Sequence, residues 1–183
     1  LIDIYFARAN VLHKEKNYKD SAKYLELANK LKLIIRPSKP EIILNKSKSL
    51  LSEFNKIKTT EKNNIKFPQS IFIVGMPRSG STLLESILSM RSDVYDLGEI
   101  NILEESFLEF KNSKQDVSLA QLYREKVNSK TKLNKTTNKW LYNYQYAGII
   151  AQHIPNAKII HCYRNPLDNI PVSYTHLRAH ETN

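Results

Sequence analysis

Residues 71–88, IFIVGMPRSGSTLLESIL, constrain this chain more than any other stretch. A short apolar run, a loop bounded by glycines and a segment of helical periodicity follow one another without a gap. An apolar run bounded by turn residues suits a buried strand, and a glycine loop opening into a helix N-terminus forms a cradle for an anion. Gly75 and Gly80 fill the glycine positions of the phosphate-binding pattern G-x-x-x-x-G-K-[ST], and Thr82 fills its hydroxyl position, but Ser81 stands where the lysine would be. The missing lysine argues against an ordinary ATPase. Backbone N–H groups and the positive helix end remain, and Arg78 supplies a cation that grips phosphate oxygens with two donors. The blander reading is a glycine turn between two core elements. On either reading Leu83, Leu84, Ile87 and Leu88 are expected to form one buried helical face.

With 183 residues, 41% of them hydrophobic, the chain has material for one core and a small appendage. It opens on Leu1 rather than methionine, and it is expected to be incomplete at both ends. The 28 Lys and Arg exceed the 18 Asp and Glu, giving +10. Lysines at 14, 16, 19, 23, 30 and 32 alternate with Glu15, Asp20 and Glu26, which describes a solvated helix surface rather than a nucleic-acid stripe. No nucleic-acid partner is expected, while the basic excess favours an anionic ligand. No window has the apolar length of a membrane span. The single cysteine, Cys162, excludes an internal disulfide, fits a reducing compartment and is expected to pack in a strand. Cytoplasmic localisation is the expectation. No His, Cys, Asp or Glu grouping has metal-ligand spacing, so no metal is expected.

Residues 1–36 carry two helical patterns broken near Lys16 and Asn17, with Tyr5, Ala9, Leu12, Tyr18, Leu25 and Ala28 at inward spacings. The pattern resembles one tetratricopeptide repeat, a unit that buries its faces by stacking on neighbours and offers a surface to a protein partner. An ordinary helical hairpin is the alternative. Residues 37–68 read as a connection: Pro37 and Pro40, a helix over 41–54, then a Lys- and Asn-rich linker over 56–66. From 69 to 171 the pattern alternates, with a strand over 71–74, helices over 117–127 and 141–153, and a strand over 157–163 in which His161 is expected to be buried. Strand alternating with helix implies an α/β fold with a parallel sheet covered on both faces.

The run PRSGSTLLESIL resembles the 5'-phosphosulfate loop of sulfotransferases that use 3'-phosphoadenosine 5'-phosphosulfate (PAPS), and residues 69–171 resemble the N-terminal part of that domain. The resemblance implies a P-loop-type three-layer α/β/α sheet. It also implies PAPS as co-substrate, with Arg78, Ser79, Gly80, Ser81 and Thr82 holding its 5'-phosphosulfate. Arg164, at the end of the second strand, resembles the arginine of the family's 3'-phosphate site, which is joined there by a serine eight positions on. Here position 172 is Val172, and Ser173 comes one residue late. Glu99, in Asp96-Leu-Gly-Glu99, resembles the catalytic base of tyrosylprotein and related sulfotransferases. Lys139 resembles the lysine that approaches the leaving group's bridging oxygen. Read without the resemblance, Glu99 is a helix-start carboxylate and Lys139 a solvent-exposed lysine. The acceptor implied is a hydroxyl of a protein, glycan or small molecule.

Residues 172–182 are what a common transposase sequencing adapter encodes in one reading frame. The expectation is that native sequence stops near Ile170, that 172–183 form an adapter-derived tail in which His176 and His180 carry no function, and that this polypeptide is inactive as it stands. Two further functions fit parts of the sequence. One is a nucleotide kinase-like P-loop enzyme, weakened by the lost lysine and by the lack of a magnesium-binding aspartate on a second strand. The other is a repeat-based protein-binding module carrying a degenerate enzyme domain.

Overall fold

The apolar run forms β1 (Gln69–Gly75), an interior strand on which Phe72 and Ile73 are fully buried. The computed structural model describes residues 1–56, 68–113 and 117–175. Most of the expected linker and residues 176–183, with His176 and His180, lie outside the described residues. Two compact units are present, residues 1–45 and 46–183.

In the first unit α1 (Ile2–Lys14) packs on α2 (Tyr18–Ile35). Small side chains let the backbones approach: Ala9 and Ala28 are buried, and the Ser21 hydroxyl donates to the Ala9 carbonyl at 2.9 Å. Asn17 caps α2, accepting from the Asp20 N–H. Tyr18 was expected to point inward but is exposed, its ring 5.2 Å from that of His13. As the first residue of α2 it stands at the mouth of the hairpin. The next helix, α3 (Pro40–Lys56), runs across the division between the units.

The second unit holds a four-stranded parallel sheet in the order β2-β3-β1-β4, so the expected α/β class with a parallel sheet is what the chain adopts. After β1 come α4 (Ser81–Ser89), β2 (Val94–Asp96), α5 (Ile102–Asn112), α6 (Leu119–Asn128) and β3 (Lys135–Asn138). A 3-10 turn (Leu141–Tyr146) then leads through α7 (Ala147–His153) to β4 (Lys158–Cys162) and α8 (Pro166–Thr175). Ser118 and Gln121 form a capping box at the start of α6. The core gathers Phe72, Leu103, Phe107, Leu119, Tyr123 and Ile150 between sheet and helices, joined by Leu50 of α3. Fully burying one such side chain contributes about 1.5–3 kcal/mol, so these residues dominate the unit's stability. Gly148 of α7 lies against the ring of Phe54, where a Cβ would collide. No helix among the described residues is long and apolar enough to cross a membrane.

Three more expectations, all in the second unit, are corrected by the structure. Leu83 and Ile87 are exposed, at 67% and 54%, and α4 instead buries Ser81 and Glu85. The buried face is rotated by about one residue, roughly 100° of helix, because polar anchors of Glu85 at the ends of β2 and β3 fix which side turns inward. His161 is exposed rather than buried, since β4 is the last strand of the described sheet. The helix expected over 141–153 begins as a 3-10 turn, with the Asn143 N–H donating to the Trp140 carbonyl.

Candidate active site

The strand order places the site. From β1 the chain crosses to β2 on one side, and from β3 it crosses to β4 on the other, so the connections that leave the neighbours β1 and β3 part at their carboxyl ends. A crevice opens at such a switch point, where open parallel sheets gather ligands. The phosphate loop follows β1 and Lys139 follows β3.

Within the loop Gly80 caps α4 in a left-handed conformation (φ 90°), with open space where a Cβ would stand. Arg78 also has positive φ, at 65°, a conformation rare for a side chain of its size and one that collects at binding sites. The Ser79 Oγ is buried without a hydrogen-bond partner in the chain. Ser81 is buried in the first turn of α4 and Thr82 is exposed beside it. The loop thus presents a helix N-terminus, an unsatisfied hydroxyl and a guanidinium, a set of donors suited to an anion.

Gly75 explains how β4 reaches this loop. Its φ is 144°, and a Cβ there would strike the Cys162 carbonyl, so glycine allows β1 and β4 to close up. Two residues past Cys162 the Arg164 Nη1 donates to the Arg78 carbonyl at 3.3 Å, bringing a second guanidinium to the loop. Cys162 is half-buried, and burial pushes its thiol pKa up. Val172 lies half-buried in α8.

Glu99 and Lys139 come together by backbone pairing. The β2–β3 register matches Asp96 with Thr137, and the pairing continues past the sheet: the Leu97 N–H donates to the Thr137 carbonyl at 3.0 Å and the Lys139 N–H to the Gly98 carbonyl at 2.9 Å. Gly98 is left-handed (φ 65°), and its N–H donates to Asp96 Oδ1 at 2.6 Å, turning the chain so that Glu99 faces the amine. The Lys139 ammonium donates to Glu99 Oε1. Lys139 is 5% exposed, which removes the reading of a solvent-exposed lysine. Glu99 precedes the Asn101 cap of α5, outside the helix start.

Sequence reasoning passed over three residues of this cluster. Asn138, fully buried, donates to the Ile100 carbonyl and accepts from Asn143 and the Trp140 N–H, holding the two loops together. Thr137 donates to Glu85 Oε1 at 3.1 Å, and Glu85 Oε2 lies 3.9 Å from the Lys139 amine. Burial first, then the hydrogen bond and charge of Asp96, raise the Glu85 pKa to about 7, against opposing pulls from Thr137 and Lys139. A carboxylate amid the leucines of the loop's helix was the available signal. Among the described residues no three His, Cys, Asp or Glu side chains converge as a metal site.

A parallel α/β sheet with a glycine loop after its first strand and a paired acid and amine after its neighbours gathers these residues at the strands' carboxyl ends, and an activity has to be argued from them rather than from the fold. A sequence profile described as "Sulfotransferase family" matches residues 68–139 and 109–183, more than half of the chain, and the protein belongs to that family. It is similar to an uncharacterized protein of Aquifex aeolicus (strain VF5), 37% identical over 123 aligned residues. That alignment covers 54% of this chain and 16% of the relative, so the chain spans about a sixth of the relative's length. No solved structure matches.

Proposed function

We propose that the chain carries the donor-binding half of a sulfotransferase that moves a sulfuryl group from PAPS to an acceptor hydroxyl. The observation that carries the reading is the convergence of the lysine-free anion loop, Arg164 and the pair formed by the buried Lys139 and the exposed Glu99. Arg78, Ser79, Gly80, Ser81 and Thr82 would hold the 5'-phosphosulfate, with the orphan Ser79 hydroxyl and the α4 N-terminus supplying neutral donors. Arg164 would hold the 3'-phosphate. In the transfer the sulfur–oxygen bond to the bridging phosphate oxygen breaks as a bond to the acceptor oxygen forms. The acceptor's proton passes to Glu99, and the Lys139 ammonium stabilises the charge growing on adenosine 3',5'-bisphosphate.

The acceptor is a hydroxyl of a protein, glycan or small molecule, and residues 1–36 would engage a protein partner in the manner of a repeat. Calorimetric titration with adenosine 3',5'-bisphosphate, and separately with ATP and magnesium, tests the donor reading. Preferential binding of the bisphosphate, lost in Arg78→Ala, is the expected result. Preference for ATP would replace it with the kinase-like reading.

A further inference from the structure

Lys139 is one buried cation among three carboxyl groups. Glu99 is its ion-pair partner, Glu85 lies 3.9 Å away from the side of α4, and Asp96 hydrogen-bonds Glu85 from the end of β2. Sulfuryl transfer as proposed uses Glu99 alone of the three. Glu85 is 3% exposed on a helix that also carries Leu84 and Leu88, and burying a carboxyl there costs free energy that an aliphatic side chain would not. Its oxygens are also divided in purpose. Oε1 accepts from Thr137, which fixes the carboxyl plane and leaves Oε2 toward the amine.

The geometry points to Glu85 as the positioning residue that keeps the Lys139 ammonium at the crevice when Glu99 takes up the acceptor's proton. This rests on the sulfuryl-transfer reading. In the resting chain the base and the cation hold each other. Once the acceptor O–H proton has moved to a Glu99 carboxylate oxygen, that partner is neutral and its grip on the ammonium falls away. A lysine on a four-carbon stem would then lose its direction just as negative charge builds on the leaving phosphate. Glu85, held by Thr137 on the adjoining strand, supplies the second anchor.

The groups facing Glu85 are Asp96 from β2, Thr137 from β3 and Lys139 beyond it, with Glu99 reached through Lys139. Because Glu85 exchanges its proton near neutrality, Lys139 should feel that exchange directly.

Lysine-selective carbon-13 NMR on the 183-residue chain tests this, with Lys139→Arg assigning the Lys139 signal by its loss. The wild-type signal should titrate with an inflection near pH 7, and Glu85→Gln, which keeps the side-chain length and the Thr137 hydrogen bond, should abolish it. Asp96→Asn, the second variant in case Glu85→Gln does not fold, should move the inflection to lower pH. Saturating adenosine 3',5'-bisphosphate is then added, and the Lys139 signal should shift in the wild type and shift less in Glu85→Gln. An inflection unchanged in either variant, with the bisphosphate still bound, overturns the role of Glu85 and leaves the sulfotransferase reading standing. A wild-type chain in which neither Lys139 nor the loop responds to the bisphosphate overturns both.

Discussion

At the scale of single residues, the proposed reading gives the two arginines separable tasks. Arg78 sits in the loop and Arg164 arrives from β4, joined by one hydrogen bond to the Arg78 carbonyl. Arg164→Ala should weaken adenosine 3',5'-bisphosphate while leaving AMP, which lacks the 3'-phosphate, nearly untouched. A hydrogen bond to a charged group is worth about 1.5–3 kcal/mol, so titration should register a loss of roughly tenfold or more. Equal losses for both nucleotides would assign Arg164 to the 5' side. Val172 offers the reverse experiment. It is the eighth residue after Arg164 and lies half-buried in α8. Val172→Ser should raise bisphosphate affinity several-fold without changing AMP, and an unchanged affinity would separate position 172 from the 3'-phosphate.

At the scale of elements, Gly75 is where two strands meet the loop. Gly75→Ala would place a methyl group against the Cys162 carbonyl in a backbone conformation that side chains rarely adopt. Strain of this kind costs about 1–3 kcal/mol, and thermal unfolding should show a lower midpoint together with lost bisphosphate binding. A variant as stable as the wild type would mean that β1 and β4 can part freely. What could be read beforehand follows the same physics. β1 was legible because its interior is a run of isoleucine, phenylalanine and valine, and β4 because an isoleucine pair follows the Pro155-Asn156 turn. β3, with the sequence KTTN, was not, because it buries threonines and an asparagine, of which Thr137 and Asn138 bond to tertiary partners, rather than apolar side chains. β2 has only three residues, too few for a period. The expected loop residues and Lys139 stand around the crevice. Glu85 stayed hidden because helical periodicity weighs leucines and says nothing of a carboxyl whose partners lie about fifty residues away in sequence, as Thr137 and Lys139 do.

At the scale of the whole molecule, the buried acid should mark the pH dependence of stability. The Glu85 pKa is raised from 4.5 to about 7 in the folded chain, so between those values the native state keeps a proton that the unfolded state releases. Stability from this group is complete below pH 4.5 and is lost as pH rises through about 7, with a slope of at most about 1.4 kcal/mol per pH unit. Glu85→Gln should flatten that decline in denaturant titrations between pH 5 and 8, and a parallel decline in both proteins would place the proton elsewhere. His153 acts in the opposite sense, since burial lowers its pKa and stability rises as it is deprotonated. Its contribution cancels in the comparison of wild type and variant.

The hydrogen-bonded path that continues from β2 and β3 beyond the sheet also has a bearing on how such a protein can change. Glu99 and Lys139 hang from facing rungs of one backbone ladder, so the gap between them is gauged by peptide units and not by whatever surrounds the acceptor. On the sulfotransferase reading, a change in the surface around an acceptor would leave the spacing of acid and amine as it is.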